Sequence, residues 1–335
     1  MIGAALLDKA LDRSVVGGYT NVGYRLRRRG WSERELPSMR GRTVLVTGAT
    51  SGLGLAAAEG FARLGADVRL LARDRERGEL VLSGIASRHP QAQLELCICD
   101  LSDLSSIRSF AEQFSAANEA LHVLVNNAGA MRPALERSVD GVELAFATNV
   151  LGPFLLTNLL LGLLRRSAPA RVINVSSGGM YTQELHTEDL QSERGDYDGP
   201  AVYARTKRAE VVLTEMWAQR LKGSGVVVHA MHPGWADTPG VRSSLPRFHR
   251  AMSHLLRTPE EGADTILWLA AAAEPERSSG GFWHDRRMRP THMLPWTRDS
   301  AQERERLWEE CERLSGWHEA DSRSASPSKS ERKGT

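Results

Sequence analysis

From Gly41 onward the sequence alternates between short β-rich runs and longer stretches with helical periodicity, and this alternation restricts the fold more than any other feature. The first unit is a β-rich run at 43–47, a glycine turn, and an apolar-periodic segment at 53–64. Further strands are predicted at 68–72, 94–99, 123–126, 171–175 and 226–231, with a last short one at 281–283. The helices predicted between and after them cover 75–87, 104–117, 142–164, 202–221 and 260–271. Strands that alternate with helices imply α/β architecture: a doubly wound parallel sheet with helices on both faces. No linker rich in Gly, Ser or Pro interrupts the series, so a single domain is expected over 41–287. A helical appendage at 1–40, a helical extension at 288–320 and a disordered tail at 321–335, rich in Ser, Lys and Arg, complete the expected organisation.

A chain of 335 residues that is 41% hydrophobic and 25% charged can bury a full core. Its formal net charge of +2 gives no argument for nucleic acid as a partner. Cys97, Cys99 and Cys311 are too few and too poorly spaced for a disulfide framework or a four-ligand zinc site, and the ten histidines show no His-Glu-x-x-His spacing. No metal is therefore expected. Cys97 and Cys99, two apart in a strand, should share one buried face. A reducing compartment, and hence a cytoplasmic location, is the expectation. No stretch approaches the ~20 apolar residues needed to cross a bilayer, and the run from Met1 does not resemble a secretory signal. Leu6, Leu7, Ala10 and Leu11 stand at helical spacing ahead of a basic cluster, Arg25-Leu-Arg-Arg-Arg29. They suit either a helix docked on the body or peripheral contact with an anionic membrane through residues 1–40. A homo-oligomer is compatible with everything above.

The turn after the first strand reads Thr47-Gly48-Ala-Thr-Ser51-Gly52-Leu53-Gly54. Glycines there permit a tight turn, and free N–H groups at a helix N-terminus suit a pyrophosphate, although glycine turns also serve purely structural ends. The spacing Thr-Gly-x-x-x-Gly-x-Gly resembles the short-chain dehydrogenase/reductase family, a Rossmann-fold family. Other landmarks of that family follow in order: Asp100-Leu101, Asn126-Asn127-Ala128-Gly129, Asn149, Ser176-Ser177, Tyr203-Ala-Arg-Thr-Lys207, His232-Pro233-Gly234 and Thr238. The resemblance spans about 41–287. It implies a nicotinamide cofactor held by Gly48, Ser51, Gly52, Leu53, Gly54, Asp100, Leu101, Asn127, Ala128, Gly129, Tyr203, Lys207, Pro233, Gly234 and Thr238. Segments outside the shared motifs, Ser176-Ser-Gly-Gly-Met180, Leu190-Gln-Ser-Glu-Arg194 and His232 through Arg242, resemble the member-twelve, retinol dehydrogenase-like subgroup.

Hydride transfer to a carbonyl leaves an alkoxide, so a site for it needs a proton donor, a partner for the oxygen, and a group that makes the donor acidic. Tyr203, Ser177 and Lys207 fit those roles. Lys207 lies one helical turn after Tyr203 on the same face. A unit charge ~4 Å away at an effective dielectric of ~20 contributes about 4 kcal/mol, enough to bring the phenol from ~10 to near 7. The resemblance further implies that Lys207 holds the nicotinamide ribose and that Asn149 carries a water linking Lys207 to solvent. Ser176 and Ser177 are adjacent, so only one can face the site, and alignment with the family favours Ser177. The segment between Ser177 and Tyr203 is longer than in short family members and suits a substrate-shaping loop or a surface decoration.

The second strand ends at Ala72-Arg73-Asp74. An acidic residue at its end would hold a ribose 2′-hydroxyl, whereas a cation suits a 2′-phosphate. Ala72 with Arg73 therefore favours NADP, unless Arg73 pairs with Asp74 or Glu76 at the surface. Leu245, Phe248, Met252, Leu255 and Leu256 stand at near-helical spacing, as a lid over a lipophilic carbonyl or alcohol or as an ordinary packed helix. Trp235 is placed to line the same pocket. The expected activity is NADP(H)-dependent hydride transfer on a small-molecule carbonyl or alcohol. A non-catalytic NADP(H)-binding redox sensor and a peripheral membrane scaffold are the alternatives.

Overall fold

The computed structural model describes residues 8, 11, 14–32 and 36–319. The expectations for 321–335 and for Leu6, Leu7 and Ala10 lie outside the described residues.

Eight strands form one sheet: β1 (Thr43–Thr47), β2 (Asp67–Ala72), β3 (Gln93–Ile98), β4 (Val123–Asn126), β5 (Ala170–Val175), β6 (Val226–Met231), β7 (Phe282–His284) and β8 (Arg287–Arg289). Their order is β3-β2-β1-β4-β5-β6-β7-β8. Pairing is parallel throughout, except that β8 runs antiparallel to β7. The chain reverses direction across the sheet between β1 and β4, which opens a crevice at their carboxyl ends where open α/β sheets bind ligands. β8, Arg-Met-Arg, has no hydrophobic run to announce it; it is the last strand of the sheet, and both its arginines pair with Asp8.

Sheet alternation decides which helices cover which face. Leu45, Leu71, Leu124, Val172 and Val228 point to one side, where α5 (Leu104–Ala117), α6 (Leu144–Arg166) and α7 (Gly199–Arg220) pack. Val44, Val46, Val68, Leu70, Val125, Ile173 and Val175 point to the other, against α3 (Gly52–Arg63), α4 (Arg75–Arg88) and α10 (Pro259–Ala271). α3 and α10 approach so closely that a Cβ on Gly60 would stand 2.5 Å from Leu267. Cys97 and Cys99 share the first core, and burial pushes their thiols up, to about 12 and about 11.

Two features of α6 correct the sequence expectation. By length and composition it is apolar enough to cross a membrane, contrary to the absence of any such stretch, but 83% of its most apolar window is buried inside the protein. It is also interrupted by a π turn, Ala147–Leu151, and such local unwinding is frequent at functional positions. At the C-terminal end α11 (Ala301–Ser315) starts on a Ser300–Glu303 capping box. Its Trp308 meets Phe154 edge-on at 5.0 Å and lies beneath the Arg220 guanidinium at 3.9 Å.

At the N-terminal end α1 (Val15–Tyr19) and α2 (Asn21–Arg28) fold back onto β7 and the turn that follows it. Arg27, from the middle of the basic cluster, turns inward and is buried, whereas Arg25, Arg28 and Arg29 are exposed. Its guanidinium bonds Asp8 at 2.8 Å and Asp285 at 2.7 Å. Arg257 reaches the same Asp285 at 2.6 Å. Asp285 and Arg286 form the two-residue β7–β8 turn with positive φ, 51° and 58°, a conformation two-residue hairpins require and one that L residues other than glycine seldom adopt.

Candidate active site

The crevice at the β1–β4 switch point is built from backbone. Gly48 and Gly52 have φ of 64° and 53°. A Cβ on Gly54 would lie 2.3 Å from the Gly48 carbonyl oxygen, so the turn closes tightly at the N-terminus of α3. Asn127 braces it: its Nδ2 donates to the Thr47 carbonyl at 2.8 Å, and the Asn127 and Ala128 amides donate to Thr47 Oγ1 at 2.9 Å. Ser51 is the N-cap residue of α3, preceding Gly52 and Leu53. Thr238, the N-cap of α8 (Pro239–Ser244), stands over Gly52, whose Cβ would meet it at 3.2 Å. A bulkier turn would fill this cradle, which fits the pyrophosphate of a dinucleotide.

The remaining cofactor-side residues line the crevice rim. Asp100 follows β3, and its carboxylate accepts from the Ser102 amide and hydroxyl at 2.8 and 2.7 Å; Leu101 is buried beside Gly152. Arg73 follows β2 and is exposed, while Ala72 is buried. Asp74 instead caps α4 by accepting from the Arg77 amide, and Arg73 joins no ion pair among the described residues. The surface pairing that competed with a phosphate contact is therefore not formed.

Ser177, Tyr203 and Lys207 converge across the crevice from β5 and α7. The pair of serines is resolved: Ser176 is buried and donates to the Lys207 carbonyl at 2.8 Å, while Ser177 faces Tyr203 and accepts from the Gly179 amide at 3.1 Å. Lys207 Nζ lies 5.5 Å from the centre of the Tyr203 ring, donates to the Val175 carbonyl at 3.0 Å, and stands 3.5 Å from where a Gly129 Cβ would be. Asn149, in the π turn and fully buried, has every polar group of its carboxamide engaged by protein. Its Oδ1 accepts from the Ala130 amide, and its Nδ2 donates to the Ala130 carbonyl and Thr206 Oγ1. The side chain thus ties the loop after β4 to α7.

The expected fall of the Tyr203 pKa toward neutrality is not found. Burial of the phenol pushes it above its ordinary value, outweighing the pull of Lys207 and Ser177. A residue that the motif reading passed over adds to this. Glu210 is buried, and its Oε1 accepts from Lys207 Nζ at 2.6 Å, so it partly cancels the charge Tyr203 would feel. Burial raises Glu210 itself to about 7, with Oε2 unpartnered among the described residues. Lys207 lies above its usual range because Glu210 and Tyr203 together outweigh its own burial. The i, i+3 spacing of Lys207 and Glu210 on one helix was the available signal.

Over the substrate side, the helix expected near 245–256 is the shorter α9 (Pro246–Met252), which Pro246 begins and which α8 precedes, while Leu255 and Leu256 lie beyond its end. Phe248 meets Trp235 edge-on at 5.1 Å. Leu245, Phe248, Met252 and Leu255 are half-buried, while Leu256 is buried. Pro233 and Gly234 follow β6, with Gly234 at φ 76°. The long segment before Tyr203 folds as a 3-10 turn, Gly178–Thr182, followed by a loop whose Tyr197 hydroxyl donates to the buried Glu143 at 2.9 Å.

Comparison with known proteins agrees with this geometry. The short chain dehydrogenase family model matches residues 42–247. Dehydrogenase/reductase SDR family member 12 of Homo sapiens is 44% identical over 302 residues, covering 88% of this chain and 93% of that protein. Retinol dehydrogenase 11 of Homo sapiens is 41% identical over 249 residues, covering 73% and 77%. Among solved structures, an uncharacterized protein from Mycobacterium Paratuberculosis superposes with a TM-score of 0.69 at 32% identity, covering 86% of this chain and 98% of that one. The Pseudomonas aeruginosa RhlG/NADP active-site complex gives 0.61 at 30% identity, covering 73% and 94%. The chain belongs to the short-chain dehydrogenase/reductase family, in its retinol dehydrogenase-like subgroup, and is an oxidoreductase.

Proposed function

We propose that the protein is an NADP(H)-dependent enzyme that passes a hydride between nicotinamide and a carbonyl or alcohol carbon of a lipophilic small molecule. The observation that carries this is the convergence of Ser177, Tyr203 and Lys207 on one crevice with the glycine cradle. Bound nicotinamide supplies or accepts the hydride. Ser177 hydrogen-bonds the substrate oxygen, and Tyr203 gives that oxygen its proton in reduction and takes it in oxidation. Lys207 favours the phenolate, while Glu210 tempers that pull. Asn149 fixes α7, and so Tyr203, against the loop after β4.

The choice of NADP rests on Arg73, exposed and unpaired among the described residues beside buried Ala72. It is supported by relatives of similar fold solved with NADP. A lipophilic substrate is our reading of the half-buried Trp235–Phe248 pair, which joins the loop after β6 to α9, and of the retinol dehydrogenases among the relatives. We propose a cytoplasmic location from the cysteines, all three free and buried. The test is NADPH and NADH oxidation by purified protein against retinoids, steroids, fatty aldehydes and quinones. Faster NADPH oxidation with an apolar carbonyl is expected. Preference for NADH, or turnover of none of these classes, would overturn the assignment.

A further inference from the structure

Tyr19, some 160 residues before the catalytic serine, sits against the active site and has no place in the motifs that identify the family. Its ring packs on Gly178, the residue after Ser177, so closely that a Cβ there would lie 2.8 Å from Tyr19 Cε2. The same ring stands edge-on to His232 at 4.3 Å, His284 at 5.3 Å and Trp235 at 5.9 Å. Since Trp235 in turn meets Phe248, an aromatic run leads from the neighbour of Ser177 to the lid. The backbone is fastened as well. The Tyr19 carbonyl accepts from the Trp235 amide at 2.8 Å and from Arg257 Nε at 3.0 Å. Asn21 donates from its amide to the Leu255 carbonyl and from its side chain to the carbonyls of His254 and Leu256.

Side chains are absent where this docking leaves no room. A Cβ on Gly234 would lie 2.7 Å from the Tyr19 carbonyl oxygen, and one on Gly23 would lie 2.3 Å from the Gly17 carbonyl oxygen. Arg27 and Arg257, both on Asp285, hold the segment from beneath, and Arg257 also donates to the Gly18 carbonyl at 2.9 Å. Contacts of this kind, with space conceded on both sides, mark a fixed part of the site rather than an appendage.

We propose that the segment 14–28 is the outer wall of the substrate site and that Tyr19 is a specificity-determining residue, its ring limiting bulk beside the reacting carbon next to Ser177. The inference rests on the reductase function proposed above. An aldehyde presents only hydrogen at that position, whereas a ketone presents a second carbon group, so the wild-type site should favour aldehydes. Removing the ring should relax that discrimination, because a steric contact of one or two carbons is worth roughly 10- to 200-fold in kcat/KM.

The experiment compares NADPH-dependent reduction of octanal, 2-octanone and acetophenone by full-length wild type, Tyr19→Ala and Tyr19→Phe. We expect the ketone-to-aldehyde ratio of kcat/KM to rise roughly tenfold or more in Tyr19→Ala, to stay near wild type in Tyr19→Phe, and NADPH affinity to be unchanged in both. Thermal melting of Gly178→Ala with and without Tyr19→Ala gives a readout that needs no substrate. The methyl that clashes with Tyr19 should lower the melting temperature clearly in the first background and little in the second. Turnover with an unchanged ratio in Tyr19→Ala would overturn the specificity role, and additive melting shifts would overturn the contact itself. Failure of wild type to reduce any of the three probes would instead count against the reductase assignment, and the specificity role would fall with it.

Discussion

The two sides of the cleft are built by different means. The cofactor side is made of backbone and short side chains from contiguous segments: the turn from Thr47 to Gly54, and Asn127 and Ala128 one strand away. The substrate side is assembled from remote stretches. Arg257 bonds the carbonyl of Tyr19 across 238 positions of sequence, and His284 lies within hydrogen-bonding distance of that of Gly18 across 266. The first is held by turn geometry, the second by buried charges and packed rings. Turn geometry tolerates little change but stores little charge. A buried ion cluster instead depends on every partner, because removing one leaves the others charged in a poorly solvating interior.

The largest effect is therefore expected on the substrate side. Asp285→Asn keeps the shape of the turn but removes the carboxylate that Arg27 and Arg257 share. We expect it to destabilise the protein by about 3–5 kcal/mol in urea unfolding while the cofactor cradle keeps its NADPH affinity in the folded fraction. A loss below about 1 kcal/mol, the size of an exposed pair, would show that the cluster does not hold this side. The same carboxylates give the sign of the acid response. Burial raises both carboxyls, but His284, Arg257 and Arg27 hold Asp285 well below the usual carboxylate range, and Arg289 and Arg27 hold Asp8 at about 2. Their contribution is complete above the unfolded value near 4 and is lost as the pH falls through the lower folded values. Stability attributable to them should be flat from neutrality to about pH 4 and drop only below it.

A smaller effect, confined to the other side, comes from Arg73. A charge-assisted hydrogen bond contributes about 1.5–3 kcal/mol, so Arg73→Ala should weaken NADPH binding by roughly 10- to 150-fold and leave NADH almost untouched. Ala72→Asp should go further and reverse the preference, by repelling the phosphate and offering the 2′-hydroxyl an acceptor. Fluorescence titration with both cofactors decides this, and equal losses would make Arg73 structural. Neither change should alter the melting behaviour of the Asp285 cluster.

The smallest effect belongs to the seam between the sides. Glu210 raises the Tyr203 pKa by opposing Lys207. In Glu210→Gln the phenol should ionise more readily. Carbonyl reduction needs the protonated phenol, so the alkaline fall in rate should move to lower pH, by about one unit. An unmoved or opposite pH profile would mean that Glu210 does not act on Tyr203.

How much of this was legible in the sequence follows the same division. Strand and helix periodicity placed the sheet, and the glycine turn, Ser177, Tyr203 and Lys207 were readable because each motif is local. The π turn at Ala147–Leu151 was not, since one extra residue in a helical turn hardly disturbs an apolar pattern. β8 was concealed by its charges. Tyr19, Arg257 and Asp285 carry no motif, and their meeting exists only after the chain has folded. The tyrosine pKa was misjudged because spacing reveals Lys207 but not the burial that outweighs it.

The central claim is hydride transfer from NADPH with Tyr203 as the proton donor, and turnover of wild type against Tyr203→Phe tests it most directly. With an aldehyde that wild type reduces, the variant should lose roughly two to four orders of magnitude in kcat, because only the donating hydroxyl is removed. NADPH affinity should remain near that of wild type. Turnover by Tyr203→Phe comparable to wild type would contradict the account.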